Sequence, residues 1–286
     1  MTAKAPSQID VAKVLREKNP GLARLIPGFI MRWVKRTLHE AEINEVLLHH
    51  GNLEGAAFAS HVVDLMGAKL TSHGKQHIPE TGGAIIASNH PLGGLDGMML
   101  LIEAAKVRPD VRFIVNDILM NLPQFQTVFI PVNKVGRTAR ESLQRVEETY
   151  SSGKLVLIFP AGLCSRKQGG NIKDLPWSKS FISRSIKNNL PVIPTHIHGH
   201  NSDRFYNLAL WRKRLGIKAN IEMFFLVDEM FRQKGKKVQI TFGKPIPAET
   251  FDHRHSQEAW AQLLRDFVYL LEKNPGADFE TYIQTQ

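Results

Sequence analysis

The segment Ala84-Ile85-Ile86-Ala87-Ser88-Asn89-His90-Pro91-Leu92-Gly93-Gly94-Leu95-Asp96 links an apolar run to a turn, and a helical pattern follows it. The first four residues are continuously apolar, which is typical of a short strand covered on both faces. The proline and the two glycines predict a tight turn directly after that strand. We therefore expect His90 at the carboxyl edge of a sheet, where open α/β sheets usually place their sites.

The same alternation of short apolar runs and helical patterns continues through the rest of the chain. Strands are predicted at Ala84–Ala87, Val111–Val115, Val128–Val132, Leu155–Phe159, Val192–His196, Glu222–Val227 and Val238–Phe242. Helices are predicted at Ala23–Glu40 with a break near Pro27, Asn52–Met66, Met98–Ala105, Thr138–Tyr150, Ser178–Asn188 and Gln257–Lys273. This order predicts an α/β fold with a mostly parallel, covered sheet and flanking helices. Residues 1–75 are predicted as a helical N-terminal region and residues 76–286 as the α/β domain.

Composition limits the classes of partner and of environment. The 286 residues carry a net charge of +10, which favours phospholipid surfaces, nucleic acid or phosphate-bearing substrates without choosing among them. Cys164 is the single cysteine, so an intramolecular disulfide is impossible and a reducing compartment fits. No apolar run approaches the roughly 18 residues that a bilayer span needs, so any membrane contact is predicted to be peripheral.

His90 and Asp96 are the candidate catalytic pair. A carboxylate at the start of the helix after the turn can accept a hydrogen bond from one imidazole nitrogen. That bond fixes the tautomer and leaves the other nitrogen to take a proton. Asp96 fits the N-cap of that helix equally well, and a lone His–Asp pair in a turn is usually only a hydrogen-bonded loop.

Two later segments have features that suit an anionic ligand. Lys134, Arg137 and Arg140 follow a predicted strand, where basic side chains can hold a head group or phosphates, or simply form a solvated helix face. The run Phe159-Pro160-Ala161-Gly162-Leu163-Cys164-Ser165-Arg166 combines flexible backbone with positive charge, which suits anion binding. A small buried thiol is the favoured interpretation of Cys164, with a nucleophile as the alternative.

Four segments in this order resemble the signature of the lysophospholipid (glycerolipid) acyltransferase superfamily. They are the Asn89-His90…Asp96 block, the basic block near Lys134, the Phe159-Pro160-Ala161-Gly162 block and the proline-bracketed strand Leu190–Thr195. The resemblance extends over about residues 82–195 and includes the closing segment Val238–Pro247. Each block alone is a weak signal, but four in sequence are fairly specific.

The resemblance implies O-acyl transfer from acyl-CoA or acyl-ACP to the hydroxyl of a lyso-lipid-like acceptor. His90 would be the general base, Asp96 would orient it, and no acyl-enzyme is required. The implied substrate-binding residues are Asn89, Lys134, Arg137, Arg140, Gly162, Ser165 and Arg166. No metal and no cofactor beyond the acyl donor is expected. The implied partners are a CoA thioester or acyl carrier protein, the lyso-lipid and an anionic membrane surface, but no nucleic acid.

Two departures from the family pattern bear on the substrate. Five residues separate His90 from Asp96 where the family normally has four, so the role of Asp96 stays open. Ala161 stands where the family has glutamate, which removes a polar contact associated with a phosphate-type acceptor. With these departures the chain resembles a divergent branch of the family. That branch is similar to the acyltransferases of N-acylated amino-acid lipids such as ornithine or glycine lipids.

Two other functions are open at this level. His196, His198 and His200 alternate along a predicted strand, which would suit a zinc-dependent hydrolase. Residues 204–237 are rich in basic and aromatic side chains, which would suit a non-enzymatic protein that binds nucleic acid or a membrane.

The predicted location is the cytoplasmic face of the cell membrane, as a peripheral protein. The helical segment Ile26–Leu38 is the candidate for docking, with Phe29, Trp33 and neighbouring basic residues. Packing of this segment onto the α/β domain is the alternative, and the two are compatible.

Overall fold

The structure is a computed structural model that describes residues 8–18, 20–116, 119–120, 122–132, 139–218 and 220–285. Its helices are α1 Val11–Lys18, α2 Pro20–Leu25, α3 Gly28–Thr37, α4 Glu40–His50, α5 Gly55–Leu65, α6 Gly94–Ala105, α7 Ala139–Ser151, α8 Ser180–Asn188, α9 Asp203–Arg214, α10 Leu226–Phe231, α11 Gln257–Leu270 and α12 Phe279–Ile283. Its strands are β1 Lys69–His73, β2 Ala84–Ser88, β3 Val111–Asn116, β4 Phe129–Val132, β5 Leu155–Ile158, β6 Arg166–Gln168, β7 Asn171–Lys173, β8 Val192–His198 and β9 Lys237–Phe242.

Seven strands form one mostly parallel sheet in the order β1-β9-β8-β2-β5-β3-β4. Only the β8–β9 pair is antiparallel within this described sheet, so β1 and β9 run opposite to the other five strands. β6 and β7 form a separate hairpin. The carboxyl ends of β2, β5 and β8 therefore meet at one edge of the sheet, and the predicted α/β class is confirmed.

Apolar layers cover both faces of the sheet, as the continuously apolar strands require. Side chains of α5 and α6, such as Phe58 and Leu100, pack on one face. Side chains of α8 and α11, such as Phe181 and Trp260, pack on the other. All five residues of β2 are buried, so the backbone that enters the turn carrying His90 lies at the centre of the molecule.

The predicted strand Glu222–Val227 is wrong. Residues Ile221–Phe225 form a 3₁₀ turn and α10 follows directly. Short apolar runs do not distinguish a strand from a helix by composition. Here the buried carboxylates of Glu222 and Glu229 stand seven residues apart, which is two helical turns, and both find polar partners inside the protein.

β1 was not predicted, because its residues Lys-Leu-Thr-Ser-His carry little apolar pattern. It pairs in parallel with β9 at the edge of the sheet, where polar side chains are common. β1 ends before residue 75, so the last part of the predicted N-terminal region belongs to the sheet. In the described parts of the chain, no helix has the length and apolar character that crossing a membrane requires.

Candidate active site

The turn between β2 and α6 depends on Gly93. Its φ of 84° and ψ of −121° lie in a region that residues with a side chain rarely adopt. A Cβ atom at this position would stand 3.1 Å from Cδ2 of Leu226 and 3.4 Å from the sulfur of Cys164. The glycine therefore permits both the sharp turn and the close packing of α10 against it.

We expect Gly93→Ala to destabilise the fold by about 1–3 kcal/mol, because it adds a strained φ to a steric contact. Urea unfolding of the purified variant measures this. Gly153→Ala is the matched control, since Gly153 has a φ of 73° with no heavy atom within 4 Å of the added Cβ. Equal losses in the two variants would mean that the packing against Leu226 contributes nothing.

The turn brings His90 and Asp96 together despite the extra residue between them. Nδ1 of His90 lies 3.1 Å from both carboxylate oxygens of Asp96. The N–H groups of Leu92 and Gly97 also donate to this carboxylate, at 2.7 and 2.8 Å. Because Asp96 only accepts, Nδ1 carries the proton, and Nε2 is the nitrogen that can take one from a substrate.

The surroundings of His90 decide its charge. Burial disfavours the protonated ring, but the Asp96 carboxylate, with the Cys164 sulfur, outweighs this effect and raises the pKa of His90 well above its ordinary value. The ring of Phe159 stacks on the imidazole at 4.0 Å with an angle of 16°. The side chain of His90 remains 16% exposed, so a substrate can reach it.

Asp174 anchors the backbone of His90, and sequence analysis missed it. Its carboxylate accepts from the His90 N–H at 3.2 Å, from the Ser165 hydroxyl at 2.6 Å and from Nε1 of Trp177 at 2.9 Å. The Ser165 N–H in turn donates to the His90 carbonyl at 2.8 Å. Burial raises the pKa of Asp174. A single Asp in the β7–α8 connection has no spacing that distinguishes it, so the sequence held no signal for this role.

We expect Asp174→Asn to cost about 1–3 kcal/mol of stability, because either orientation of the amide turns its NH₂ group toward a donor. Denaturant unfolding of a double-mutant cycle with Trp177→Phe provides the control, since this second change removes one of those donors. The double variant should lose less than the sum of the two single losses. Strict additivity would contradict the proposed contact.

Four of the predicted substrate-binding groups have partners inside the protein. The amide of Asn89 exchanges two hydrogen bonds with the backbone of Ile197, at 2.9 and 2.7 Å. The Gly162 N–H donates to the Phe159 carbonyl, and the Ser165 hydroxyl to Asp174. The guanidinium of Arg166 pairs with the buried carboxylate of Glu222 at 3.0 Å. In this structure these groups hold the walls of the site together.

Of the predicted basic residues Lys134, Arg137 and Arg140, the structure describes Arg140. Lys134 and Arg137 lie outside the described residues. Arg140 is exposed in the first turn of α7, the helix that follows β4. β4 is the third strand from β2. At about 4.8 Å per strand, its end is roughly 14 Å from the end of β2.

A row of aromatic rings leads from His90 into the core on the α5–α6 side of the sheet. Phe159 contacts Phe113 with ring centroids 5.2 Å apart, and Phe113 contacts Phe129 at 6.1 Å. Phe129 stacks on Phe125 at 4.8 Å. The rings come from three neighbouring strand segments and one adjoining turn. They pack against one another from the imidazole inward, and Phe113 and Phe125 are buried.

The histidines near the end of β8 have other partners. Nδ1 of His198 lies 2.8 Å from Glu272, and His200 bonds to the carbonyl of Asn201. Burial lowers the pKa of His196 to about 4. Within the described part of the chain, no three His, Cys, Asp or Glu side chains are grouped as metal ligands. The geometry therefore offers no support for the zinc-hydrolase hypothesis.

Comparison with known proteins assigns the family. A family model described as "Acyltransferase" matches residues 13–277. The chain is 42% identical over 264 residues to a lyso-glycine lipid O-acyltransferase of Phocaeicola vulgatus, covering 92% of this chain and 95% of that protein. A protein of the same description from Bacteroides thetaiotaomicron is also 42% identical, with 92% of this chain and 97% of that protein covered.

This chain belongs to the acyltransferase family. Its predicted membership of the glycerolipid acyltransferase superfamily, and its likeness to acyltransferases of amino-acid lipids, are confirmed. Among solved structures, this acyltransferase is similar to the 1-acyl-sn-glycerophosphate acyltransferase of Thermotoga maritima. The TM-score is 0.49 at 18% identity, and the match covers 76% of this chain and 78% of the other.

Proposed function

We propose that this acyltransferase moves a fatty acyl group from a thioester donor to the hydroxyl of a lyso-lipid. The acceptor that we favour is an N-acylated amino-acid lipid of the lyso-glycine type. The observation that carries the reaction is the His90–Asp96 pair, with Nδ1 held by a fully buried carboxylate. The observation that carries the acceptor class is the 42% identity to two lyso-glycine lipid O-acyltransferases over nearly the whole chain.

The proposed reaction needs one proton shuttle and no covalent enzyme intermediate. Nε2 of neutral His90 takes the proton of the acceptor hydroxyl while the oxygen attacks the thioester carbonyl carbon. The resulting imidazolium is stabilised by Asp96, to which it donates through Nδ1. The carbon–sulfur bond then breaks, and the departing thiolate takes the proton from Nε2. The products are an ester and a free thiol.

Several features near His90 suit these substrates. Phe159 gives the imidazole an apolar neighbour, which suits a fatty acyl chain beside it. Ala161 stands in the turn after β5 in place of an acidic side chain, which supports an acceptor other than lysophosphatidate. For the donor, both acyl-CoA and acyl-ACP present the same thioester. We propose a peripheral location on the cytoplasmic face of the membrane, with α3 as the docking helix, because α3 has no buried residue.

Purified protein tested against a panel of acceptors decides the proposal. Lyso-glycine lipid, lyso-ornithine lipid and lysophosphatidate are each offered with acyl-CoA and with acyl-ACP, and the ester product is measured by mass spectrometry. We expect ester formation on the amino-acid lipids, release of one thiol per ester, and a loss of at least about 10²-fold in ester formation with His90→Ala. Thiol release with free fatty acid and no ester on any acceptor would instead indicate a hydrolase.

A further inference from the structure

The carboxyl end of α9 presents large apolar side chains to solvent. Trp211, Leu215 and Ile217 are 60%, 69% and 40% exposed. We call these three residues the α9 tip. Contiguous exposed apolar side chains of this size usually mark an interaction site or a membrane contact.

A second group of exposed apolar side chains lies on α3. Phe29 and Trp33 of α3 are 65% and 46% exposed. The ring of Trp33 stacks on Phe224 at 5.9 Å and meets Phe225 edge-on at 6.2 Å. Both phenylalanines belong to the 3₁₀ turn that packs against α9. The ring of Phe225 lies under Arg204, in the first turn of α9, so α3 contacts the turn that packs against α9 and presents a second group of exposed rings.

The sequence of both elements is basic, although two of the cations, Lys35 and Arg212, are paired with carboxylates. Between residues 204 and 221 the sequence has five basic side chains and no acidic one. Between residues 20 and 37 it has four basic side chains and no acidic one. Lys213 and Arg214 are exposed beside Trp211, as Arg32 is beside Trp33. A surface that mixes tryptophan, aliphatic and basic side chains matches the interface of an anionic bilayer.

Buried ion pairs support the α9 tip from beneath. The guanidinium of Arg212 donates to Glu222 at 3.3 Å and to the carbonyl of Ile217 at 2.9 Å. Glu222 is fully buried and also accepts from Arg166 at 3.0 Å. A removed partner would leave buried charge uncompensated, which is strongly unfavourable. The exposed residues are therefore held in place by the fold.

The segments that contain Arg166 and Glu222 also contact the turn between β2 and α6, which carries His90. Arg166 directly follows Ser165, whose N–H donates to the carbonyl of His90. From the other side, Leu226 comes directly after the 3₁₀ turn that contacts Trp33, and its Cδ2 packs against Gly93. Contacts of Ser165 and Leu226 thus link the region of α9 to the turn that carries His90.

We propose that the α9 tip is a second membrane-contact element, in addition to α3, for an anionic lipid bilayer. It extends the peripheral association proposed above, but its existence does not depend on the acyl-transfer reaction. Trp211 lies at the level of the lipid head groups, and Leu215 and Ile217 enter the edge of the acyl layer. Lys213 and Arg214 contact the anionic head groups. A bilayer is favoured over nucleic acid because the aliphatic side chains would gain nothing from bases or phosphates.

Sedimentation with vesicles tests the surface. Full-length protein is mixed with vesicles of phosphatidylglycerol and phosphatidylcholine, or of phosphatidylcholine alone. We expect binding to the anionic vesicles that weakens with salt, and a loss of at least about tenfold in the variant Trp211→Glu/Leu215→Glu. Leu143→Glu is the matched control, because Leu143 is 56% exposed on α7, away from this surface. Vesicle binding equal to wild type in the double variant would overturn the proposal.

Tryptophan fluorescence gives a second readout that needs no mutation in the α9 tip. Of the four tryptophans, Trp177 and Trp260 are buried, while Trp33 and Trp211 are on the proposed surface. In Trp33→Phe, brominated phosphatidylglycerol vesicles should still quench the emission, and the quenching should come from Trp211. Absence of quenching would exclude contact of the tip with lipid. Lipid-free protein that dimerises, and becomes monomeric in Trp211→Glu/Leu215→Glu, would show that a second copy covers the surface instead.

Failure of this proposal and failure of the proposed function remain distinct. Vesicle binding is measured without any acyl donor or acceptor. Acyl transfer by the wild-type protein is measured on a short-chain acceptor dispersed in water, without vesicles. Vesicle binding without acyl transfer would support the docking surface and contradict the proposed function. Acyl transfer without vesicle binding would support the proposed function and contradict the docking surface.

Discussion

Replacement of His90 by alanine is expected to lower kcat by about 10²- to 10⁴-fold, because a general base usually contributes that much. The fold should survive, since Asp96 keeps the N–H donors of Leu92 and Gly97 after the imidazole is gone. His90→Gln should be equally inactive while it retains a donor toward Asp96. Thiol release with the preferred acceptor measures kcat, and circular dichroism confirms folding.

His198→Ala is the matched control for this experiment. His198 is an exposed histidine on β8 that bonds only to Glu272 among its described hydrogen-bond partners, so its loss should leave kcat within a factor of two or so. It also belongs to the set considered for zinc. Full activity in the His90 variants, or an equal loss in His198→Ala, would show that the reaction centre is elsewhere.

Asp96→Asn is expected to lose nearly as much activity as His90→Ala. In serine hydrolases the corresponding carboxylate-to-amide change lowers kcat by about 10⁴-fold, because the histidine is left in the wrong tautomer. The same mechanism applies here, since both oxygens of Asp96 are within hydrogen-bonding distance of Nδ1. The amide would also bring a donor toward the N–H of Leu92 or Gly97. A loss of tenfold or less would mean that the five-residue spacing weakens the pair.

The pH dependence provides an independent measure of this pair. Only neutral His90 can accept a proton, so kcat/KM should rise with pH as the ring loses its proton. Burial opposes the charged ring, but Asp96, together with the Cys164 sulfur, outweighs burial and raises the pKa of His90, so the rise should lie well above the ordinary histidine value of about 6.5. In Asp96→Asn the residual activity should rise at lower pH. If Asp96→Asn has the same pH profile as the wild type, Asp96 is not the cause of the raised pKa of His90.

Local sequence was sufficient to predict the parts of the site that lie close together in the chain. The buried strand β2, the turn after it and the position of His90 at the sheet edge follow from apolar continuity and from glycine and proline. Asp96 is only six residues away, so the turn geometry alone brings it to the imidazole. The strand–helix alternation likewise predicted a parallel, covered sheet, because such strands have no solvated face.

Only the tertiary structure decided which groups support His90 from a distance. Asp174 directly follows the β6–β7 hairpin, whose ends lie next to the backbone of His90. A contact between segments this far apart leaves no periodic pattern in the sequence. Arg166 was predicted as a ligand-binding cation, but it forms an ion pair with a buried carboxylate 56 residues later in the chain. That carboxylate, Glu222, lies in the segment wrongly predicted as a strand. The Arg166–Glu222 ion pair forms only when two distant parts of the chain meet, so neither part alone predicts it.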